Sequence, residues 1–243
     1  MLLNCDLGES HGNWVMGMDA QVMPWIDQAN IACGFHAGDP LTMRNTLALA
    51  AEHGVSVGAH PAYPDLVGFG RRSMALSEAE IIADLQFQVA ALDGMAQSAG
   101  LQLAYVKPHG ALYNDMMARA EVRSAILKAI ASYYRPLPLM LQATAAAAEH
   151  RAEAELLGVG VLFEAFADRC YEDDGSLRSR RLPGAVHSRE KMLEQVSLLL
   201  HEGVVITYSG MRLPLAADSL CVHGDNQEGV SAIRDIRALV DQR

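Results

Sequence analysis

The first residues able to do chemistry are Asn4, Asp6 and Glu9, an amide and two carboxylates at the end of a short apolar run. In an extended strand alternate side chains point the same way, so Asn4 and Asp6 share a face. Neighbouring carboxylates split their proton affinities and can divide acid and base roles. Glu9 could equally be solvated, and Asp6 could cap the turn at Gly8. Further on, Asn30 and His36 lie in a glycine-interrupted stretch that ends on Asp39-Pro40. Glycines there allow close backbone approach to a ligand, and a helix start offers free N–H groups to an anion. His36 could shuttle a proton or ligate a metal. His60-Pro61 repeats the arrangement, followed by Asp65 and the Arg71-Arg72 pair, which suits a carboxylate or phosphate or else anchors its own loop. Lys107, beside His109, is one of only three lysines (with Lys128 and Lys191), so its position is informative. It could bind an oxyanion or act as base or nucleophile, or simply pair with Glu164 or Asp6. Glu164, Asp168 and Arg169 follow a later apolar run, and His223 and Asp225 follow the last. Arg181 falls in a long charged loop as a candidate lid residue. Tyr63, Tyr113, Trp14 and Trp25 read as packing residues.

Each of these residues needs an element to place it. Eight short β-type runs are predicted: Leu2–Cys5, Ala29–Cys33, Val55–Ala59, Leu103–Val106, Leu137–Leu141, Val159–Phe163, Val204–Tyr208 and Leu220–Val222. Between them lie helical patterns at Pro40–Glu52, Ser77–Ser98, Arg119–Ser132, Ala143–Glu149, Ser188–His201 and Asn226–Asp241. Asp39 and Pro40 form an N-cap and first turn, and Ser77 with Glu80 forms a capping box. Ile81, Ile82, Leu85, Val89 and Leu92 give that second helix one apolar face. Such alternation implies a parallel sheet covered by helices, either open or closed into a barrel. In a parallel barrel every strand ends at one rim, which would gather these polar residues into one pocket. Only Asp168–Gly184 reads as a long loop, a length typical of lids and binding loops. No linker or repeat appears, so residues 1–243 are expected to form a single domain.

Composition narrows the function. The 243 residues are 51% hydrophobic, too apolar for a disordered chain. A net charge of −10 without a basic block argues against nucleic-acid binding, which needs phosphate neutralisation. Cys5, Cys33, Cys170 and Cys221 form no CxxC pair, which fits reduced thiols in a cytoplasmic protein. Acidic residues within the first nine positions argue against a signal peptide, and no apolar run approaches a membrane span. Neither a Gly-x-x-x-x-Gly-Lys phosphate loop, a Gly-x-Ser-x-Gly elbow nor a dinucleotide-type glycine motif is present. Two or three histidines with Asp6 could hold a divalent metal such as zinc, but no HxxxH or HxH pair fixes the ligands, so the metal is left open.

Six segments, NCDLGES, NIACGFHAGDP, GAHPAYPDLVGFGRR, VKPHGALY, EAFADRCY and CVHGD, closely resemble the LamB/YcsF family in order and spacing. The resemblance runs over nearly the whole chain. Leu2 stands where the family commonly has Asp, and His11 where an aromatic residue is usual. The resemblance implies a distorted, seven-stranded parallel (β/α) barrel of the glycoside hydrolase/deacetylase type, with the eighth run outside the closed barrel. It also implies ATP-dependent opening of 5-oxo-L-proline to L-glutamate together with subunits B and C of a 5-oxoprolinase. ATP would be bound mainly by those partners. Asp6, Glu9, His36, His60, Lys107 and His109 would then be the catalytic set. Asn4, Asn30, Glu164, Asp168, Arg169, Arg181, His223 and Asp225 would hold the substrate. The rival readings are a stand-alone metal-dependent amidohydrolase or deacetylase and a noncatalytic scaffold.

Overall fold

The computed structural model describes residues 1–224 and 227–242, without the side chains of Gln227 and Glu228. Asp225 therefore lies outside the described residues. Seven parallel strands close into a barrel: β1 (Leu2–Leu7), β2 (Gln28–Ala32), β3 (Ser56–His60), β4 (Leu103–Val106), β5 (Leu139–Gln142), β6 (Val161–Phe166) and β9 (Ser219–Val222). The remaining strands, β7 (Val204–Ile206) and β8 (Arg212–Pro214), form an antiparallel pair outside it. The seven-stranded barrel is as expected, but the run left outside is the seventh, not the eighth. The reason lies in the chain path. The seventh run turns back through Gly210 and spends its hydrogen bonds on β8. The eighth reaches both open edges, pairing Ser219 with Glu164 and Leu220 with Leu3.

The helices are α1 (Asp19–Val22), α2 (Pro40–His53), α3 (Glu78–Ser98), α4 (Gly110–Ala118), α5 (Ala120–Ala131), α6 (Ala147–Glu155), α7 (Arg189–Glu202) and α8 (Gln227–Asp241). The expected caps form: the Asp39 carboxylate accepts from the Thr42 N–H, and Ser77 and Glu80 complete a reciprocal capping box. Helix α4, which starts directly after Lys107-Pro108-His109, has no counterpart among the helical patterns of the sequence. Helix α6 starts later than its pattern suggests. The Thr144 hydroxyl accepts from the Ala146 N–H, so the chain turns before the helix begins.

The core is divided in an unusual way. Outward-facing strand residues such as Leu3, Cys5, Ile31, Val57, Val106, Leu141, Phe163 and Leu220 pack against the helices and are buried. Inward-facing positions are mostly polar, and they bond to one another across the barrel. Ser219 Oγ donates to Gln28 and accepts from Asn4 Nδ2, Asn30 Nδ2 donates to Asn4 Oδ1, and the Tyr105 hydroxyl donates to Asn30 Oδ1 at 2.7 Å. A satisfied polar layer avoids the desolvation cost of orphaned buried groups.

Space inside this layer is set by Gly58 on β3, where an added Cβ would lie 2.2 Å from the Tyr105 ring. Gly58→Ala is therefore expected to push Tyr105 off Asn30 and to cost about 1–3 kcal/mol of stability. Urea unfolding checks this, and a variant as stable as the parent would contradict the packing described.

Candidate active site

At the C-terminal rim of the barrel, one ammonium group organises the pocket. Lys107 Nζ lies 3.1 Å from Asn4 Oδ1, 3.1 Å from Asp6 Oδ1, 3.0 Å from Glu164 Oε2 and 3.3 Å from Cys221 Sγ. Its partners come from β1, β6 and β9. Burial opposes its charge, but Asp6, the Cys221 sulfur and Glu164 outweigh that and push its pKa well above the ordinary lysine value. With three N–H groups among four acceptors and a raised pKa, Lys107 is a fixed cation. It is poorly suited to act as a base or nucleophile, two of the roles open to it from sequence.

Asp6 is held from several sides. Its Oδ1 also accepts from Asn30 Nδ2 at 2.8 Å, and its Oδ2 lies 3.3 Å from His60 Nε2 and 3.8 Å from His223 Nε2. Burial raises its pKa, but His60, Lys107 and His223 prevail and hold it well below the usual carboxylate range. Asp6 therefore stays ionised and orients its neighbours.

Three imidazoles line the adjoining wall. His60 Nδ1 donates to the Lys107 carbonyl at 2.7 Å, and His109 Nε2 donates to the Phe69 carbonyl at 2.9 Å. Their other nitrogens, His60 Nε2 and His109 Nδ1, face each other at 3.0 Å. His36 stacks flat on His109, with centroids 3.7 Å apart, and its Nε2 lies 3.3 Å from Glu9 Oε1. Glu9 Oε1 is also 3.7 Å from His109 Nδ1. Burial, then the neighbouring imidazoles, pulls His36 and His109 well below the ordinary histidine pKa, so both are neutral. The loop that supplies the Phe69 carbonyl is strained. Phe69 is the one non-glycine residue with positive φ (54°) among the described residues. Asp65 holds this turn by accepting from the Gly68 N–H and from Arg72, so Arg72 anchors the loop. Gly70 lets the turn press close, because a Cβ there would lie 2.8 Å from both His109 and His36.

His223 is the second cation. Its Nδ1 lies 3.0 Å from Asp168 Oδ2. Burial works against its charge, but Asp168 and Asp6 raise its pKa from 6.5 to about 9. Asp168 Oδ1 and His36 Nδ1 are buried without a hydrogen bond, which marks them as groups open to a polar ligand.

The fold thus gathers Asn4, Asp6, Glu9, Asn30, His36, His60, Lys107, His109, Glu164, Asp168 and His223 at one rim. Arg169 is near but committed, donating to the carbonyls of Arg178 and Ala185 within its own loop. Arg181 is exposed, and its backbone N–H donates to Ser179. Its neighbour Arg180 is the arginine whose charge reaches Asp168 and His223. Sequence reasoning also missed Cys221 and Tyr105 as polar partners, and the brackets Gln88 and Gln195. Gln88 bonds both backbone groups of Ala62, and Gln195 donates to the carbonyls of Phe166, Ala167 and Arg169. Helical periodicity places these glutamines on buried faces, the one available clue. Trp14, expected to pack, is exposed.

The LamB/YcsF family matches residues 1–243. The chain belongs to the LamB/YcsF family. It is 57% identical to a 5-oxoprolinase A subunit of Pseudomonas putida, the one numbered 2, covering 99% of this chain and 94% of that one. It is 55% identical to the 5-oxoprolinase A subunit of Chromohalobacter salexigens, over 99% and 96% of the two chains. Among solved structures, a lactam utilization protein from Thermus thermophilus superposes with a TM-score of 0.91 at 38% identity, covering 100% of this chain and 96% of that one. This LamB/YcsF barrel contains no helix among the described residues long and apolar enough to cross a membrane.

The charged state of His223 carries a pH signature. Because its folded pKa exceeds its ordinary value of 6.5, its contribution to stability is complete below 6.5 and is lost as pH rises through about 9. A rise of that size corresponds to about 3 kcal/mol. His223→Gln is expected to remove this alkaline loss, measured by urea unfolding across that window. An unchanged slope would show that His223 is neutral in the folded chain.

Proposed function

We propose that this chain is the A component of a cytoplasmic, ATP-dependent 5-oxoprolinase that works with two partner subunits, B and C, as one barrel domain. The reading rests on the relatives named above. It rests equally on one structural observation: a buried Lys107–Asp6–Glu164 ion network lies beside a cluster of imidazoles at one rim of the barrel.

A five-membered lactam resists water because its nitrogen lone pair is delocalised into the carbonyl. In the proposed reaction the partners transfer a phosphoryl group from ATP to the lactam oxygen, which makes C5 electrophilic. Water then adds to C5, the C5–N bond breaks, and its electron pair stays on nitrogen. Nitrogen takes up the proton that the water gives up. A second water releases phosphate, so one water is used for the ring and one for the phosphoryl group.

The pocket divides this work. Glu9 with His36, His60 and His109 forms the water-handling wall, where the neutral His36 and His109 can accept and return a proton, an effect typically worth 10²–10⁴-fold. Lys107 supplies fixed positive charge close to where negative charge develops. It also holds Asp6, which in turn orients His60. His223, charged and next to the unpartnered Asp168 Oδ1, meets the anionic groups of the substrate, with Arg180 at the rim. Arg181, expected to hold substrate, is given no role in this reading.

The test is 5-oxoproline-dependent ATP turnover and glutamate release by the complete complex. Asp6→Asn and Lys107→Met are each expected to lower turnover by at least about 100-fold. Lys107→Met also leaves Asp6 and Glu164 buried without their cation, costing about 3–5 kcal/mol of stability, so unfolding is measured alongside. Wild-type glutamate release in folded Asp6→Asn complexes would remove this assignment.

A further inference from the structure

The facing nitrogens of His60 and His109 lie at the centre of a group of possible metal ligands. A backbone carbonyl only accepts, so the bonds from His60 Nδ1 to the Lys107 carbonyl and from His109 Nε2 to the Phe69 carbonyl fix both tautomers. His60 Nε2 then faces His109 Nδ1 across 3.0 Å, with Asp6 Oδ2 also 3.3 Å from His60 Nε2. Glu9 Oε1 adds a carboxylate oxygen 3.7 Å from one of these nitrogens. Four residues, Glu9, His36, His60 and His109, bring one donor atom each to within 4.8 Å of one another. Two imidazole nitrogens and a carboxylate oxygen converge here, a donor set that either a proton on His60 Nε2 or a bound cation satisfies.

We propose that His60 Nε2, His109 Nδ1 and a Glu9 oxygen form a binding site for one divalent transition-metal ion, most readily zinc. This deepens the reading given above, since it concerns the water-handling wall of the same pocket. The donors are the borderline nitrogen and hard oxygen ligands that zinc accepts, and three protein ligands leave a coordination position open. Zinc bonds of about 2.0–2.2 Å set ligand atoms roughly 3–3.5 Å apart, close to the 3.0 and 3.7 Å spacings that His109 Nδ1 makes here. Outer partners are already in place: each candidate imidazole is oriented by a backbone carbonyl through its second nitrogen, as metal-ligating histidines usually are. The strained Phe69 turn gains a purpose, because it is what aims His109. A strained residue of this kind tends to persist where function requires it. His36 lies only 5° from parallel to His109, so both rings cannot aim at one ion in their planes. It remains beside the site as a neutral imidazole near Glu9. When bound, the ion would lower the pKa of a coordinated water.

The test uses the full chain, stripped with chelator and titrated with zinc by calorimetry and with cobalt(II) by visible absorption. One ion per chain is expected, with cobalt bands characteristic of nitrogen and oxygen ligands and a melting temperature that rises with zinc concentration. Glu9→Gln and His60→Gln are each expected to weaken binding by more than the roughly 10–100-fold that loss of an outer partner costs. Glu9 is only partly buried, so its amide variant tests the site even where His60→Gln fails to fold. Substoichiometric binding, or binding that Glu9→Gln retains at parental affinity, overturns the proposal. Cleavage of 5-oxoproline is assayed separately in the complex, so its absence would count against the reaction and not against the metal site.

Discussion

A buried ammonium is tolerated only when its surroundings repay its lost hydration, and Lys107 obtains this from four side chains on three other strands. Those strands, β1, β6 and β9, are neighbours in the barrel wall, whereas β4 lies on its opposite side. The side chain of Lys107 therefore crosses the interior, and its bonds fix the far wall relative to the near one. An apolar interior could not accept this group, which accounts for the polar lining of amides and hydroxyls beneath it. The hydrophobic driving force is displaced outward, to the layer between strands and helices. The barrel interior sets geometry, while the outer layer supplies most of the burial.

Above that lining, the loops are rigid at their roots. Gln88 from α3 clamps the chain two residues beyond His60, and Gln195 from α7 clamps the turn beyond Glu164. Buried amides suit this task because one side chain can satisfy several backbone groups that the end of a strand leaves unpaired. Beyond its root, the segment after β6 is held to the β7 hairpin, where Thr207 and Ser209 donate to Asp173 and the Arg178 guanidinium covers the Tyr208 ring. The strand excluded from the barrel thus braces the longest loop over its mouth.

Most of the barrel is legible in the alternation of runs and in the polar residue that ends each apolar one. Asn4 and Asp6 share a face as period two requires, and Asn30 meets both of them. The last strand is harder to place. Val204–Ile206 and Ser219–Val222 are both short and mainly apolar, and pairing with chain ends far away in sequence distinguishes them. Asn4 bonds Ser219 across 215 positions, a relation no local pattern encodes. The arginines in the long loop are opaque for a related reason. Irregular backbone gives no period from which direction can be inferred, so Arg180 and Arg181 cannot be told apart from sequence. Lys107 is legible as important and illegible as to role, since ion pairing and catalysis demand the same residue types.

The polarity of the pocket also bears on why the proposed reaction begins with phosphorylation. The N–H groups of Lys107 are already engaged by the protein, so a neutral lactam oxygen gains little from it beyond its field. Asp6 is too strongly stabilised as an anion to remove a proton from water readily. A site so arranged is weakly matched to an unactivated amide, whose barrier would require a strong base or a free donor. An activated, more anionic ring meets it differently. In the proposed reaction the charged His223, with Arg180 nearby, would attract it at the rim, and neutral His36 and His109 would need only to move a proton that an electrophilic C5 has already made acidic. The electrostatics of the barrel mouth thus suit the proposed division of labour, in which a partner activates the ring and this chain completes its opening.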